Sequence, residues 1–290
     1  MIEWINVIVQ GVLLGGLYAL FATGLSLSFG VMRLINMAHG DFIILSAYLA
    51  FAVVQPLDIN PLYMILLIVP LMAVFGYVLQ RLVLNKTLGN DILAPLLVTF
   101  GMSIIVQNLL LEIFSADFRG LNAGAVEIAS ISLSNNIAIG VFPLITIITA
   151  IAVIVVLQYI FYRTKLGMCF RATSDDHITS QLMGIKTKHI YGMAMGLALG
   201  VTAIAGVLLA IRTNFDPAAG PLQLLYAFEV VIIGGLGSFW GTLVGGIILG
   251  VAQTIGSNID PGWGILTGHI VFIIILMFKP NGLFPKTKGK

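Results

Sequence analysis

The residues best placed to do chemistry fall in one short stretch, which carries Arg33, Asn36, His39, Gly40 and Asp41 between two apolar runs. Polar and ionisable side chains at membrane depth are costly unless they face protein or water, so they mark working positions. Asn36 and His39 are three residues apart, and one helical turn would put both on a single face. There they could line or gate a path and bond backbone groups freed by a helix break, or simply cap helix ends at an interface. Gly40 allows a sharp turn, and Asp41 adds a carboxylate beside it. Arg33 reads as a topology anchor. A second carboxylate, Glu229, sits amid Phe228, Val230, Val231 and Ile232. It suits a proton carrier, a partner for a substrate ammonium, or a hydrogen bond to another helix.

The elements that must position these groups are membrane helices. Of 290 residues, 59% are hydrophobic and 9% charged, and the mean hydropathy is +1.07. A soluble domain carries about 25% charged residues, so most of this surface cannot face water. Spanning hydrocarbon takes about 20 apolar residues as a helix. Candidate spans are Ile5–Phe29, Phe42–Val54, Leu62–Gln80, Ile92–Phe114, Ile139–Tyr162, Ile190–Ile211, Leu222–Leu236, Thr242–Ile255 and Ile265–Phe278. Those starting at Phe42, Leu222 and Thr242 are short and glycine-interrupted, as broken or re-entrant helices are. The expected fold is all-α, a polytopic membrane protein with eight to ten membrane helices. One domain, residues 1–290, carries an inner loop at 163–190.

Orientation follows the Lys/Arg bias of short loops. Arg81, Lys86, Arg163, Lys165, Arg171, Lys186 and Lys188 lie in two such loops, and Lys279, Lys286, Lys288 and Lys290 crowd the C-terminus. These should be cytoplasmic. The N-terminus, the Pro56–Pro61 turn and Ser115–Asn136 hold just Arg119 and should face outward; the last could contact a binding protein through Asp117, Arg119 and Glu127. An N-terminus outside and a C-terminus inside demand an odd number of crossings. No cleavable secretory signal is expected, since the first run is too long and lacks a basic start.

Small residues recur every fourth position at Gly192, Gly196 and Gly200, at Gly11, Gly15, Ala19 and Thr23, and in the pairs Gly241/Gly245 and Gly246/Gly250, the pattern of close helix packing in lipid. Gln107, Asn108, Gln158 and Gln253 read as interhelical hydrogen-bond partners. One faint internal echo links Asn36…Gly40-Asp41 with Asn214-Phe-Asp-Pro-Ala-Ala-Gly220, as a pseudo-repeat across the membrane would.

Enzymatic readings find little support. There is no G-x-x-x-x-G-K-[ST] phosphate loop, no G-x-S-x-G elbow and no H-E-x-x-H pair. The four histidines are scattered and the single cysteine cannot build a multi-cysteine metal site. No metal, cofactor or nucleic-acid site is expected, given a net charge of only +2. If nucleotide hydrolysis drives this protein, another chain performs it. The loop from Arg163 to Ile190 has the features of a docking element. Thr173 or Ser174 could cap a short helix with Asp175 and Asp176 in its first turn. Ala172, Ile178, Leu182 and Met183 would form its apolar side, and Gly184 its stop. An interfacial helix lying on lipid headgroups is the alternative.

Leu34-Ile-Asn-Met-Ala-His-Gly40 resembles a signature of the permease subunits of branched-chain amino-acid ABC importers. Leu166-Gly-Met-Cys-Phe-Arg-Ala172 with Leu182-Met-Gly-Ile185 resembles that family's coupling region. Ala203-Ile-Ala-Gly-Val-Leu208, Ile233-Gly-Gly-Leu-Gly-Ser-Phe-Trp-Gly-Thr242 and Lys279-Pro-Asn-Gly-Leu-Phe284 extend the likeness across the chain. Glu229 is a departure, because the family carries an apolar or small residue there. The resemblance implies a non-catalytic permease in a bacterial inner membrane, paired with a related but different permease chain. Two cytoplasmic ATPase subunits would dock on Arg171, Ala172, Asp175, Gly184 and Ile185, and an extracytoplasmic solute-binding protein would deliver the amino acid. Asn36, His39, Gly40, Asp41 and Glu229 would be pathway or gating residues. Relatives serving urea or short amides share the first signature, so those substrates remain open. So does a proton-coupled secondary transporter using Glu229, Asp41 and His39. A non-transporting scaffold fits the composition but leaves the polar interruptions without a purpose.

Overall fold

The computed structural model describes residues 2–57, 59–88, 93–134 and 137–284. Among the described residues, nine apolar helices carry the membrane-embedded part. Seven are long and apolar enough to cross a membrane: α1 (Ile2–Met32), α2 (His39–Leu57), α3 (Met64–Leu82), α4 (Leu93–Phe114), α6 (Val141–Arg163), α9 (Thr187–Arg212) and α11 (Phe239–Ile259). Two are shorter, α10 (Gly220–Gly234) and α12 (Trp263–Phe278). All nine expected segments are therefore helices. Short α5 (Ala125–Ile128), α7 (Lys165–Asp175) and α8 (His177–Leu182) complete the α-helices of the described residues, and β1 (Ser130–Ser134) pairs with β2 (Ile137–Gly140) in an antiparallel hairpin. Lys286, Lys288 and Lys290, the fourth span's start at Ile92, Asp58 of the outer turn and Asn136 lie outside the described residues.

Small residues decide which helices touch. Along α1 and α11, Gly11 meets Val251, Gly15 meets Gly246 and Ile247, and Gly250 meets Gly11 and Gly15; a Cβ at any of these glycines would overlap the facing backbone. The hydroxyls of Thr23 and Thr242 extend that seam, 3.1 Å apart. Along α3 and α9, Gly76 meets Met195, while Gly196 and Gly192 meet Ala73 and Tyr77. The repeating small residues thus act as close-packing faces, which is how helices attract in a solvent as apolar as they are. Helix α9 is 89% buried across its apolar window, against 17% for α4, so α9 is the central column and α4 a peripheral one.

Two units share one plan. Helix α1 is followed by a break at 33–38, then α2 and α3; α9 is followed by a break at 213–219, then α10 and α11. Helix α1 packs on α11 while α9 packs on α3, and α1 lies against α10 as α9 lies against α2. The C-terminal end of α1 and the start of α9 both rest on α7, so the two units run in opposite directions. This is an inverted-topology repeat, the architecture of many transporters.

The molecule has two faces. One carries the β-hairpin, which receives a hydrogen bond from Gln10 Nε2 to Ala138 O at 2.9 Å, and the paired segments around Arg119 and Phe215. The opposite face carries α7 and α8, the Asn85 side chain bonded to Lys188 O at 3.1 Å, and the tail whose Leu283 and Phe284 amides bond the carbonyls of Ile233 and Gly234. The described basic loop residues cluster there, and it is called the basic face below.

Candidate functional site

Both breaks double back into the bundle. His39 Nε2 lies 2.8 Å from Phe21 O, and Gly24 sits beside the same ring. Helix α2 therefore begins level with residues eight to eleven places before the end of α1 at Met32. At a rise of about 1.5 Å per residue, segment 33–38 has climbed roughly 12–16 Å back. The second break does the same from the other side. Gly206 of α9 packs on Ile43 and Ser46, yet Gly220, which starts α10 after the break, packs on Asp41. Gly40 in turn meets Gly220 and Leu224. The first turns of α2 and α10 cross inside the membrane, at a contact that only glycine permits on either side. The two stretches of the faint sequence echo are brought together here.

At this crossing the polar side chains are buried and mostly bonded. Asn36 is outside the helix; its Oδ1 accepts from Ala38 N at 3.1 Å and its carbonyl accepts from His39 N at 3.2 Å. The expectation that Asn36 and His39 share one helical turn is corrected: Asn36 precedes the helix and caps it. The cap lies in the interior, with Asn36 and His39 each 1% exposed. Because a carbonyl can only accept, the bond to Phe21 O puts a proton on His39 Nε2. Asp41 Oδ1 accepts from Gln107 Nε2 of α4 at 2.9 Å, and the same amide donates to Ser103 Oγ at 3.1 Å. Met37 N donates to Thr99 Oγ1 at 3.2 Å, tying the break itself to α4. Arg33 ends α1 on the basic face with a positive φ of 51°.

Glu229 lies elsewhere, further along α10. It is 2% exposed and pairs with His269 Nδ1 of α12 through Oε1, while its Oε2 has no partner among the described residues. Nearby, Tyr18 of α1 donates to Gln253 Oε1 of α11 at 2.5 Å, and Gln253 Nε2 is likewise unpartnered. Of the amides expected to bridge helices, Gln107 and Gln253 do so; Asn108 instead donates to Ile104 O within its own helix at 2.8 Å. Gln158 Oε1 has no partner among the described residues. His269 and Tyr18 went unread in the sequence because a single histidine or tyrosine in an apolar run has no spacing that marks it.

The element on the basic face is two helices rather than the single short one expected. Thr164 caps α7, accepting from Gly167 N at 3.1 Å. Thr173 lies inside α7 and is buried, and Ser174 Oγ donates to Gly30 O at 2.7 Å, so neither is a cap. Asp175 closes α7, exposed, and Asp176 caps α8, accepting from Ile178 N at 2.9 Å and Thr179 N at 3.1 Å. The hydroxyl and the backbone N–H of Thr179 hold the Asp176 carboxyl below its ordinary range. Gly184, at φ 85°, ends α8 as expected, in the left-handed region that glycine enters without strain. Helix α7 is anchored: Phe170 is fully buried against Phe161, which also meets Phe239, and Arg171 stacks over Tyr162 at 5.0 Å. Ala172 is half-buried, its carbonyl accepting from Asp176 N, and Ile185 is half-buried beside Gly184. Helix α8 is not anchored in the same way, since Ile178 is 61%, Leu182 82% and Met183 79% exposed.

A re-entrant crossing between inverted halves, with an anchored platform under a short helix that exposes Ile178 and Leu182, is the layout of a transport subunit. A family model described as the permease component of branched-chain amino acid transport systems matches residues 7–278. The chain belongs to that family. It is similar to the high-affinity branched-chain amino acid transport system permease protein BraD of Pseudomonas aeruginosa, at 28% identity over 97% of this chain and 95% of that protein. Permease protein LivH of Escherichia coli is 26% identical over 94% of this chain and 93% of that protein. Permease protein LivM of the same organism is 24% identical over 94% of this chain and 68% of that protein. The chain is thus a multi-pass membrane permease component of an ABC importer.

Proposed function

We propose that the permease imports branched-chain or related α-amino acids across a bacterial inner membrane, with ATP hydrolysed on two partner subunits docked beneath α7 and α8. The observation that carries this reading is the contrast within the basic face: α7 is anchored in the bundle, while α8 holds Ile178, Leu182 and Met183 out to solvent. Exposed apolar residues on a capped, well-formed helix suit a groove on a partner. In this reading Arg171, Ala172, Asp175, Gly184 and Ile185 transmit movement of the ATPases. Segment Ala172–Ser174 passes it directly to α1 through Ser174 and Gly30. The basic face is cytoplasmic and the N-terminus outside, in keeping with the distribution of Lys and Arg.

The second permease chain is a related but different polypeptide; the similarity of this chain to both LivH and LivM of one organism supports that pairing. A binding protein delivers solute on the hairpin face. Asn36, His39, Gly40 and Asp41 act at the α2/α10 crossing as gating positions, about which the two inverted units rock. Solute and nucleotide shift such a two-state element only through different affinities for its states. The test is uptake of labelled leucine by vesicles holding the permease pair, the ATPases and the binding protein. ATP should be required, unlabelled leucine should compete where urea does not, and a protonophore at constant ATP should leave uptake intact. Uptake undiminished without the ATPases would refute the reading.

A further inference from the structure

The end of α9 on the hairpin face opens into a cavity of about 410 Å³, lined by Gly120, Asn122, Glu127, Arg212, Thr213 and Asn214. That volume lies within the about 300–1,000 Å³ typical of small-molecule sites. Its walls are fixed by backbone pairing between two separate segments. Arg119 N donates to Phe215 O at 2.9 Å, Phe215 N to Arg119 O at 2.8 Å, and Leu121 N to Ala210 O at 2.8 Å. The Asn214 amide oxygen rests on Gly120, 2.7 Å from where a Cβ would stand.

Arg212 is the group in this cavity that the transport mechanism above leaves unused. It is half-buried, and among the described residues it makes no hydrogen bond or ion pair; the ionisable group it faces is Tyr18. A guanidinium presents five donors in a flat fork that matches a carboxylate, and leaving it half-desolvated without an acceptor is costly. Glu127 supplies the opposite charge on the same wall, one oxygen accepting from Ala123 N at 3.3 Å. On the membrane side of Arg212, polar capacity continues through Tyr18 to the unpartnered Gln253 Nε2 and Glu229 Oε2.

We infer that this cavity is an entry site for the zwitterionic head of an α-amino acid, with Arg212 taking the carboxylate and Glu127 the ammonium. The lining is polar, so the site reads the head group shared by all α-amino acids and leaves the side chain unread. Discrimination among side chains then falls to the binding protein. This inference rests on the proposed amino-acid function and deepens it.

The test measures equilibrium binding of labelled L-leucine to the assembled permease complex in lipid nanodiscs, without binding protein or ATP. Binding should be saturable, and L-valine and L-leucine should compete alike. Isoamylamine, which lacks the carboxylate, and 4-methylpentanoate, which lacks the ammonium, should each compete at least tenfold more weakly. Arg212→Gln should lower affinity tenfold or more and Arg212→Lys less, while Glu3→Gln, an exposed charge at the start of α1 on the same face, should change nothing. Absence of saturable binding, or analogues that compete as well as leucine, overturns the inference even where Arg212→Gln fails to fold. If leucine does not bind but Arg212→Gln weakens docking of the binding protein, the cavity takes a protein carboxylate and the inference is equally overturned. Each of these outcomes leaves ATP-driven uptake untouched, whereas uptake that ignores ATP would strike the transport reading itself.

Discussion

The two inverted units solve the same problem in opposite ways. In the first, the break before α2 buries Asn36, His39 and Asp41, and each makes a bond, to Ala38 N, Phe21 O and Gln107, leaving Asn36 Nδ2 without a partner among the described residues. In the second, α10 and its neighbours keep more unused capacity: among the described residues Glu229 Oε2 and Gln253 Nε2 are unpartnered, and Arg212 stands in an open cavity without an acceptor. The first unit resembles a bearing and the second a route. Buried polarity alone therefore does not locate where solute passes; ionisable groups left unsatisfied are the better guide, because a satisfied group has nothing left to offer a ligand.

The comparison breaks most violently at the bearing. Gly40→Leu would drive a side chain into Gly220 and Leu224, and overpacking against backbone on both sides should cost upward of about 3 kcal/mol. The expected result is near-complete loss of monodisperse protein in detergent size-exclusion chromatography. Gly101→Ala on peripheral α4, where no atom stands within 4 Å, should leave the profile unchanged.

A smaller effect, but a more telling one, is expected at the α10–α12 pair. His269→Leu leaves the buried Glu229 carboxylate without its described partner, and because His269 is itself 30% exposed the cost should fall below the about 3–5 kcal/mol of a fully buried pair. Replacing both, Glu229→Leu with His269→Leu, should restore most of the thermal stability, since apolar substitutes of similar volume are tolerated. A double variant as unstable as the single one would show that the loss does not come from an unpaired Glu229 carboxylate.

The smallest effect lies on the basic face. Asp176→Ala should speed amide exchange at Ile178 and Thr179, whose N–H groups lose their acceptor, without altering exchange in α7. The pH dependence has a definite sign. The Asp176 carboxyl is held below its ordinary range, so its contribution to α8 is complete above that range. It is lost as the pH falls through the lowered value, and α8 protection should fade there on acidification.

Much of this was readable from residues alone, and the omissions have physical causes. Apolar runs bounded by polar residues gave all nine embedded helices, because hydropathy and length suffice in lipid. The alternation Ser-Ile-Ser-Leu-Ser from Ser130 and Ile-Ala-Ile-Gly from Ile137 has the period of strands, but two runs this short beside an apolar span do not stand out as a hairpin. On the inner loop, Thr164, Ser174 and Asp176 all had capping chemistry, and local sequence could not say that Ser174 would be drawn to Gly30 instead. The crossing of Gly40 with Gly220 is a contact between distant segments, so their echo could be seen but not their meeting. Arg212 carries no mark in the sequence, because a lone arginine at the end of a long apolar run has the pattern of an anchor.

The central claim is that this chain is moved from outside itself, through α8. Leu182→Asp places a charge on the most exposed apolar residue of α8 without touching the anchored face of α7, so thermal stability should be unchanged. Initial rates of ATP-driven leucine uptake should be measured in vesicles holding the complete importer with this variant. The account predicts uptake reduced at least tenfold, with the permease normally inserted; uptake at the wild-type rate would contradict it.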